Sequence, residues 1–178
     1  MVSDMLKQLW DNGIIQLGIW ETVYMTLLST LIAYGIGLPI GVILCITDKD
    51  GIHPNRLVNR VLGFIVNIFR SIPFIILMVA MLPVAKAIVG TSMGNKAMIV
   101  MLIIAAAPYV ARMVESSIKE VSHGVIEAAQ AMGTSNFKII TRVLIPEAKP
   151  SLIIGAVIST VTILGYSAMA ATIGGTGL

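Results

Sequence analysis

The sequence predicts an all-α protein whose helices cross a lipid bilayer several times. Of its 178 residues, 57% are hydrophobic and only 12% are charged, whereas a soluble domain carries about 25% charged residues. The hydrophobic residues form long runs, and a spanning helix needs about 20 of them to cross a hydrocarbon core of about 30 Å. We therefore expect a polytopic helical bundle with four spans, forming one transmembrane domain over residues 1–178.

The first predicted span covers about residues 20–46. Trp20 and Tyr24 lie at its start, where amphipathic aromatic rings suit the interface between lipid and water. Small residues recur at every fourth position and form a groove that another helix can approach closely: Ala33, Gly37 and Gly41. The approaching helix belongs either to the same bundle or to a second copy of the chain.

The second predicted span, at about residues 61–89, is irregular. Its apolar sequence is interrupted by Arg70 and Ser71, and Pro73 and Pro83 lie inside it. Proline removes a backbone donor and kinks a helix. We therefore expect an amphipathic or buried lead-in followed by a kinked span.

The third and fourth predicted spans cover about residues 97–113 and 151–173. Arg112 and Glu115 are expected to end the third span, because charged side chains are costly in hydrocarbon. Pro150 precedes the fourth span, where the first turn of a helix tolerates the missing N–H. A glycine-rich end follows, which we interpret as an interrupted loop of a C-terminally truncated sequence.

The distribution of Lys and Arg predicts the orientation of the chain in the membrane. Eight of these residues fall between the first two spans or between the last two, three fall on the other side, and Arg70 is set aside. Cytoplasmic loops carry the excess of basic residues. We therefore expect the N-terminus outside and residues 115–149 in the cytoplasm.

The polar stretch at about residues 115–149 is patterned like two short helices joined by a tight turn. Its apolar residues recur at helical intervals, and Gly124 and Gly133 suit helix C-caps. Ser135 suits the N-cap of the second helix, which Pro146 is expected to end. Such a motif is either a connector lying on the membrane or a rigid docking site for a soluble partner.

Within this stretch, Glu127-Ala128-Ala129 is followed after three residues by Gly133 and after nine more by Val143-Leu144-Ile145-Pro146. This spacing resembles the EAA loop of ABC importer permeases, whose pattern is E-A-A, three residues, G, nine residues and I-x-L-P. Val143 and Ile145 replace the family's Ile and Leu. The resemblance implies the fold of a type I ABC importer permease and a location in the bacterial inner membrane.

Other segments extend the resemblance over essentially the whole chain from Trp20 onward. Residues 67–74 resemble a segment of amino-acid permeases. Three further segments resemble the methionine permease subunits (MetI type): residues 89–92, 107–115 and 165–169. Members of that subfamily continue into one more spanning helix, so a fifth span is expected in the full-length chain.

The resemblance implies that the EAA-like segment seats in a cleft of a separate ATPase subunit. That subunit would bind ATP and Mg²⁺, and the chain itself would need no cofactor. The residues assigned to ATPase coupling are Glu127, Ala128, Ala129, Met132, Gly133 and Pro146. The family further implies a homodimer of permease subunits, two cytoplasmic ATPase subunits and an extracytoplasmic solute-binding protein.

A second group of residues is assigned to the translocation pathway and its gate. By resemblance these are Tyr166, Ser167 and Met169, with ordinary helix packing as the alternative. Arg70, beside Ser71 and the Pro73 kink, is costly near lipid unless it pairs, reaches an interface or lines a wet cavity. It therefore either extends to the cytoplasmic interface or has a structural or pathway role.

The sequence lacks the motifs of several other functions. It has no G-x-x-x-x-G-K-[ST] phosphate loop, and His53 and His123 stand apart from other potential ligands, so no metal site is expected. We therefore expect a transport subunit that is not itself an enzyme, importing an amino acid, with methionine suggested by resemblance alone. The alternatives are a permease for another amino acid or small solute, a passive channel, and an intramembrane enzyme.

Overall fold

The computed structural model describes residues 10–176, and no β-strand occurs within that range. In chain order the elements are α1 Ile14–Thr47, α2 Arg56–Ser71, α3 Phe74–Ala80, α4 Leu82–Val89, α5 Gly94–Lys119, α6 His123–Ala131, α7 Asn136–Ile139, a π-helical turn Ile140–Leu144, α8 Ile145–Glu147, α9 Lys149–Ser167 and a 3-10 helix Ala168–Ile173. The predicted all-α class is confirmed.

Three helical segments are long and apolar enough to cross a bilayer: α1, α5 and Lys149–Ile173. Helices α2 and α3 provide a fourth if this bent pair counts as one span. The break between them is explained by Pro73, because the residue before a proline disfavours helical backbone. Large apolar side chains such as Leu31 and Leu57 are mostly exposed, as expected for a surface that faces lipid.

Helix ends differ from the sequence prediction in several places. Helix α1 begins at Ile14 rather than near residue 20. Helix α5 continues to Lys119 rather than ending near residue 113. Arg112 and Glu115 therefore lie inside α5, where they form an ion pair that offsets the cost of burying either charge. The predicted second span is divided among α2, α3 and α4.

The chain divides into two compact units. One contains the described parts of residues 1–32, 72–106 and 160–178, and the other contains residues 33–71 and 107–159. In the first unit, Met25, Met98 and Leu102 are fully buried. In the second, which we call the loop-bearing unit, Leu44, Val66 and Ala111 form a buried cluster with Ile40 and Leu62 packed against it.

The small residues of α1 allow it to lie directly against α5 in the loop-bearing unit. A Cβ atom on Gly37 would lie 2.7 Å from Val110 Cγ1, and one on Gly41 would lie 2.5 Å from the carbonyl oxygen of Ala111. Carbon and oxygen atoms cannot approach so closely, so only glycine fits at either position. The sequence left open whether this groove packs within the chain's own bundle or against a second copy. The structure supports packing within the bundle.

We predict that Gly41→Ala destabilises the protein by about 1–3 kcal/mol, the usual cost of overpacking a close contact. The clash is with backbone of α5, which cannot move aside as a side chain can. The measurement is the thermal unfolding midpoint of the purified protein in detergent. Gly35→Ala is the matched control on the same helix, because a Cβ there meets nothing within 4 Å. Equal midpoints for the two variants would contradict the prediction.

Candidate functional site

The segment between α5 and α9, residues 120–148, forms a short helical hairpin that we call the connecting loop. Helix α6 supplies its first arm, and α7, the π-helical turn and α8 supply the second. Gly124 is the second residue of α6 and not a C-cap, so that prediction was wrong. Ser135 occupies the predicted N-cap position of α7, but its side chain makes no capping hydrogen bond.

The turn of the hairpin is fixed by backbone hydrogen bonds. Gly133 has a φ of +70°, a conformation that side chains disfavour. The N–H of Thr134 donates to the Ala129 carbonyl at 3.1 Å, and the N–H of Gly133 donates to the Gln130 carbonyl at 2.9 Å. This is the Schellman pattern of helix termination. Gly133 is therefore required at the point where the sequence predicted a C-cap.

The second arm does not end at Pro146 as predicted. Pro146 lies in the first turn of α8, directly after the π-helical turn. Proline is tolerated in the first turn of a helical segment, because its N–H would have no partner there. The wider i→i+5 turn before it accommodates the missing hydrogen-bond donor. The hairpin consequently keeps a continuous helical second arm.

Most residues assigned to ATPase coupling lie on the surface of the connecting loop. Those exposed are Glu127, Ala128, Met132, Gly133 and Pro146. Ala129 is only 4% exposed and packs inward, so its small size serves the hairpin's own packing. Phe137, which the sequence analysis missed, is 74% exposed, close to the 78% of Met132. The sequence offered one signal for Phe137, which is an aromatic residue close after the predicted N-cap at Ser135.

Four charged residues at the start of the connecting loop form what we call the Glu115 cluster: Asp48, Arg112, Glu115 and Lys119. The Glu115 carboxylate is buried and accepts from Arg112 Nη1 at 2.6 Å and from Lys119 Nζ at 2.8 Å. Lys119 Nζ also lies 2.6 Å from Asp48 Oδ2. The spacing of Arg112, Glu115 and Lys119 on one helix face could have indicated part of this cluster.

The cluster reaches beyond α5 in two directions. Arg112 Nη2 donates to Asn67 Oδ1 at 3.0 Å and to the Gly63 carbonyl at 3.3 Å, both on α2. Asp48 directly follows α1, and the hydrogen bond from Lys119 lowers the pKa of its carboxyl group. Asp48 therefore stays ionised at neutral pH, and the ion pair with Lys119 is maintained.

A cavity of about 340 Å³ lies next to this cluster. Its walls come from the end of α1 and the residues after it, from the end of α5 and from the connecting loop. Cys45, Asp48, Lys119, His123 and Leu144 are among the lining residues. Within residues 10–176 no three His, Cys, Asp or Glu side chains are grouped as metal ligands.

The residues assigned to the pathway fall into both units. Pro73 immediately precedes Phe74, whose ring stacks on Tyr166 with centroids 4.5 Å apart and planes at 4°. Ser167 is buried, and its hydroxyl donates to the Leu164 carbonyl at 2.7 Å. Met169 is half-buried in the 3-10 helix. Tyr166 and the segment after Pro73 are thus brought together.

Arg70 and Ser71 end α2 in the loop-bearing unit. The Ser71 hydroxyl donates to the Asn67 carbonyl at 2.8 Å. Arg70 is exposed and lines a cavity of about 390 Å³ together with Tyr109, Arg112 and Glu115. Its guanidinium therefore borders a polar hollow, which is one of the settings in which an arginine is tolerated among spanning helices.

Comparison with known proteins supplies the family. Residues 37–178 match the profile of the binding-protein-dependent transport system inner membrane component. The chain is 50% identical over 159 residues to the probable D-methionine transport system permease protein MetI of Vibrio cholerae, covering 89% of this chain and 71% of that protein. It is also 50% identical over 152 residues to MetI of Escherichia coli K12, covering 85% of this chain and 70% of that protein.

Solved structures agree with the sequence relatives. The MetNI methionine ABC transporter in an inward-facing conformation matches with a TM-score of 0.90 and 48% identity, covering 92% of this chain and 76% of that chain. An amino acid ABC transporter crystallised with histidines matches at a TM-score of 0.77 and 21% identity over 97% of this chain and 78% of the other, which shows the shared fold. Because the family profile matches residues 37–178 and the chain is 50% identical over 159 residues to such a permease, the chain belongs to the family of binding-protein-dependent transport system inner membrane components.

Proposed function

We propose that this chain is the permease subunit of an ATP-driven methionine importer, acting as one transmembrane domain. Family membership makes it a transport subunit and not itself an enzyme. The main supporting observation is the connecting loop, a hairpin whose turn is closed by two backbone hydrogen bonds, in a chain that is 50% identical over 159 residues to a probable D-methionine permease. Methionine, rather than another amino acid, is supported by the sequence relatives and not by the fold.

The connecting loop is the proposed docking site for the ATPase subunit. Its two most exposed apolar side chains, Met132 and Phe137, flank the turn at Gly133. Large exposed apolar side chains on a polar loop are typical anchors of protein interfaces. A hairpin whose turn is closed by two backbone hydrogen bonds can transmit movement of a bound partner to the helices on either side.

The assembly that this proposal requires has further parts. Two copies of the chain would enclose the pathway, two ATPase subunits would bind ATP and Mg²⁺ at the cytoplasmic face, and a solute-binding protein would deliver methionine outside. ATP can switch the bundle between inward and outward access only by binding one state better than the other. Arg70, Ser71, Pro73, Tyr166, Ser167 and Met169 are the proposed pathway and gate residues.

We predict that Met132→Asp and Phe137→Asp each lower the amount of ATPase subunit that co-purifies with the full-length protein by about tenfold or more, as loss of an interface anchor does. Ser122→Asp is the control, because it adds the same charge at the exposed N-cap of α6. Undiminished co-purification with both tip variants would argue against docking at this loop.

We predict that the connecting loop faces the cytoplasm. In a Cys45→Ser background, which removes the one cysteine of the sequence, a membrane-impermeant maleimide should label Met93→Cys in intact cells. Glu127→Cys should react only after permeabilisation. Both positions are exposed in the chain itself, and in cells that lack the ATPase subunit nothing covers Glu127, so the compartment decides the outcome. Labelling of Glu127→Cys from outside would refute this orientation.

We predict that the full-length protein with its ATPase subunit, reconstituted in proteoliposomes, accumulates labelled methionine only when ATP is supplied. Excess unlabelled methionine should compete, and other amino acids should compete less. Stronger competition by a different amino acid would assign that solute instead. Methionine flux without the ATPase subunit would favour a passive channel.

A further inference from the structure

The Glu115 cluster lies where the connecting loop joins the spanning helices. Glu115 is 6% exposed, and a buried carboxylate needs partners for its charge. It has two, Arg112 and Lys119, and each of them also holds another element. Arg112 is bonded to α2 through Asn67 and Gly63, and Lys119 is bonded to Asp48 at the end of α1.

Both ends of the connecting loop are fixed to the same part of α5. At its start, α6 begins at His123, shortly after Lys119. At its end, the Ser151 hydroxyl of α9 donates to the Ser117 hydroxyl of α5 at 3.0 Å, and the neighbouring Ala148 is 3% exposed. A displacement of the hairpin therefore acts first on the last turns of α5.

The connecting loop and the end of α1 border the same cavity. This cavity of about 340 Å³ is lined by Cys45 and Ile46 of α1 and by Ile126 and Leu144 of the loop. The ion pair between Lys119 and Asp48 borders this cavity. It is thus a specific polar link at a place where side chains leave a gap.

We propose that Glu115 and Asp48 are positioning residues that carry movement of the connecting loop from α5 to α1 and α2. This inference rests on the proposed function, since it assumes that an ATPase subunit moves the loop. Asp48 ties α1 to α5 through Lys119. Glu115 holds Lys119 and Arg112 in the positions from which they reach α1 and α2.

The deciding experiment compares Asp48→Asn with Asp50→Asn in the reconstituted full-length complex. Asp50 is two residues away, but within residues 10–176 its ion pair is with Lys49 alone, at 3.6 Å, and both side chains are exposed. The quantity measured is the amount of labelled methionine imported per ATP hydrolysed. We expect Asp48→Asn to lower this ratio by about tenfold, within the usual range for one coupling interaction, and Asp50→Asn to leave it unchanged.

Two further readouts separate positioning from a merely structural role. Asp48→Asn should retain the ATPase subunit in co-purification and should keep its thermal unfolding midpoint. Asp48→Glu, which preserves the charge, should restore most of the ratio. Glu115→Gln, which loosens both links, should lower the ratio at least as far as Asp48→Asn does.

The inference is overturned if Asp48→Asn keeps the wild-type ratio, or if uptake, ATP hydrolysis and thermal midpoint all fall together. These results leave the proposed function standing, because the wild-type complex still forms and transports. If the wild-type chain retained no ATPase subunit, the proposed function itself would be wrong, and the inference would fall with it.

Discussion

The close approach of α1 to α5 at Gly37 and Gly41 is the constraint on which the loop-bearing unit depends. Two glycines remove the side chains that would hold the helices apart. With the helices in contact there, the end of α1 reaches the end of α5, and Asp48 comes within 2.6 Å of Lys119. The charged groups that join the connecting loop to the bundle are therefore placed by apolar packing further along the same helices.

Much of the fold followed from simple rules applied to the sequence. Long apolar runs located α1, α5 and α9, and Pro73 located the break after α2. The ends of the helices were less predictable, because they depend on partners distant in sequence. Arg112 and Glu115 looked like the end of a span, but their pairing lets α5 continue to Lys119. Charged residues such as Arg and Glu are good helix formers, so they can end an apolar run without ending the helix.

Features of the candidate site that depend on residues close together in the sequence were predictable. Gly133 follows from a helix terminus that needs a positive φ, and the structure has a value of +70° there. Pro146 was misjudged because a π-helical turn of Ile140–Leu144 has no simple sequence signal. The link between Asp48 and Lys119 could not be predicted, because it joins residues that only the packing of α1 on α5 brings together.

The two hydroxyl groups proposed for the pathway have a consequence for how a solute would be handled. Ser71 and Ser167 each donate to a carbonyl of their own helix, at 2.8 Å and 2.7 Å. A serine hydroxyl has one donor, and here it is already engaged, so a new bond to that proton would replace an existing one and gain little free energy, while the oxygen lone pairs can still accept. Ser71, which is exposed, could thus accept from an N–H donor but has no free proton for a carboxylate, whereas Ser167, at 1% exposure, is closed to both.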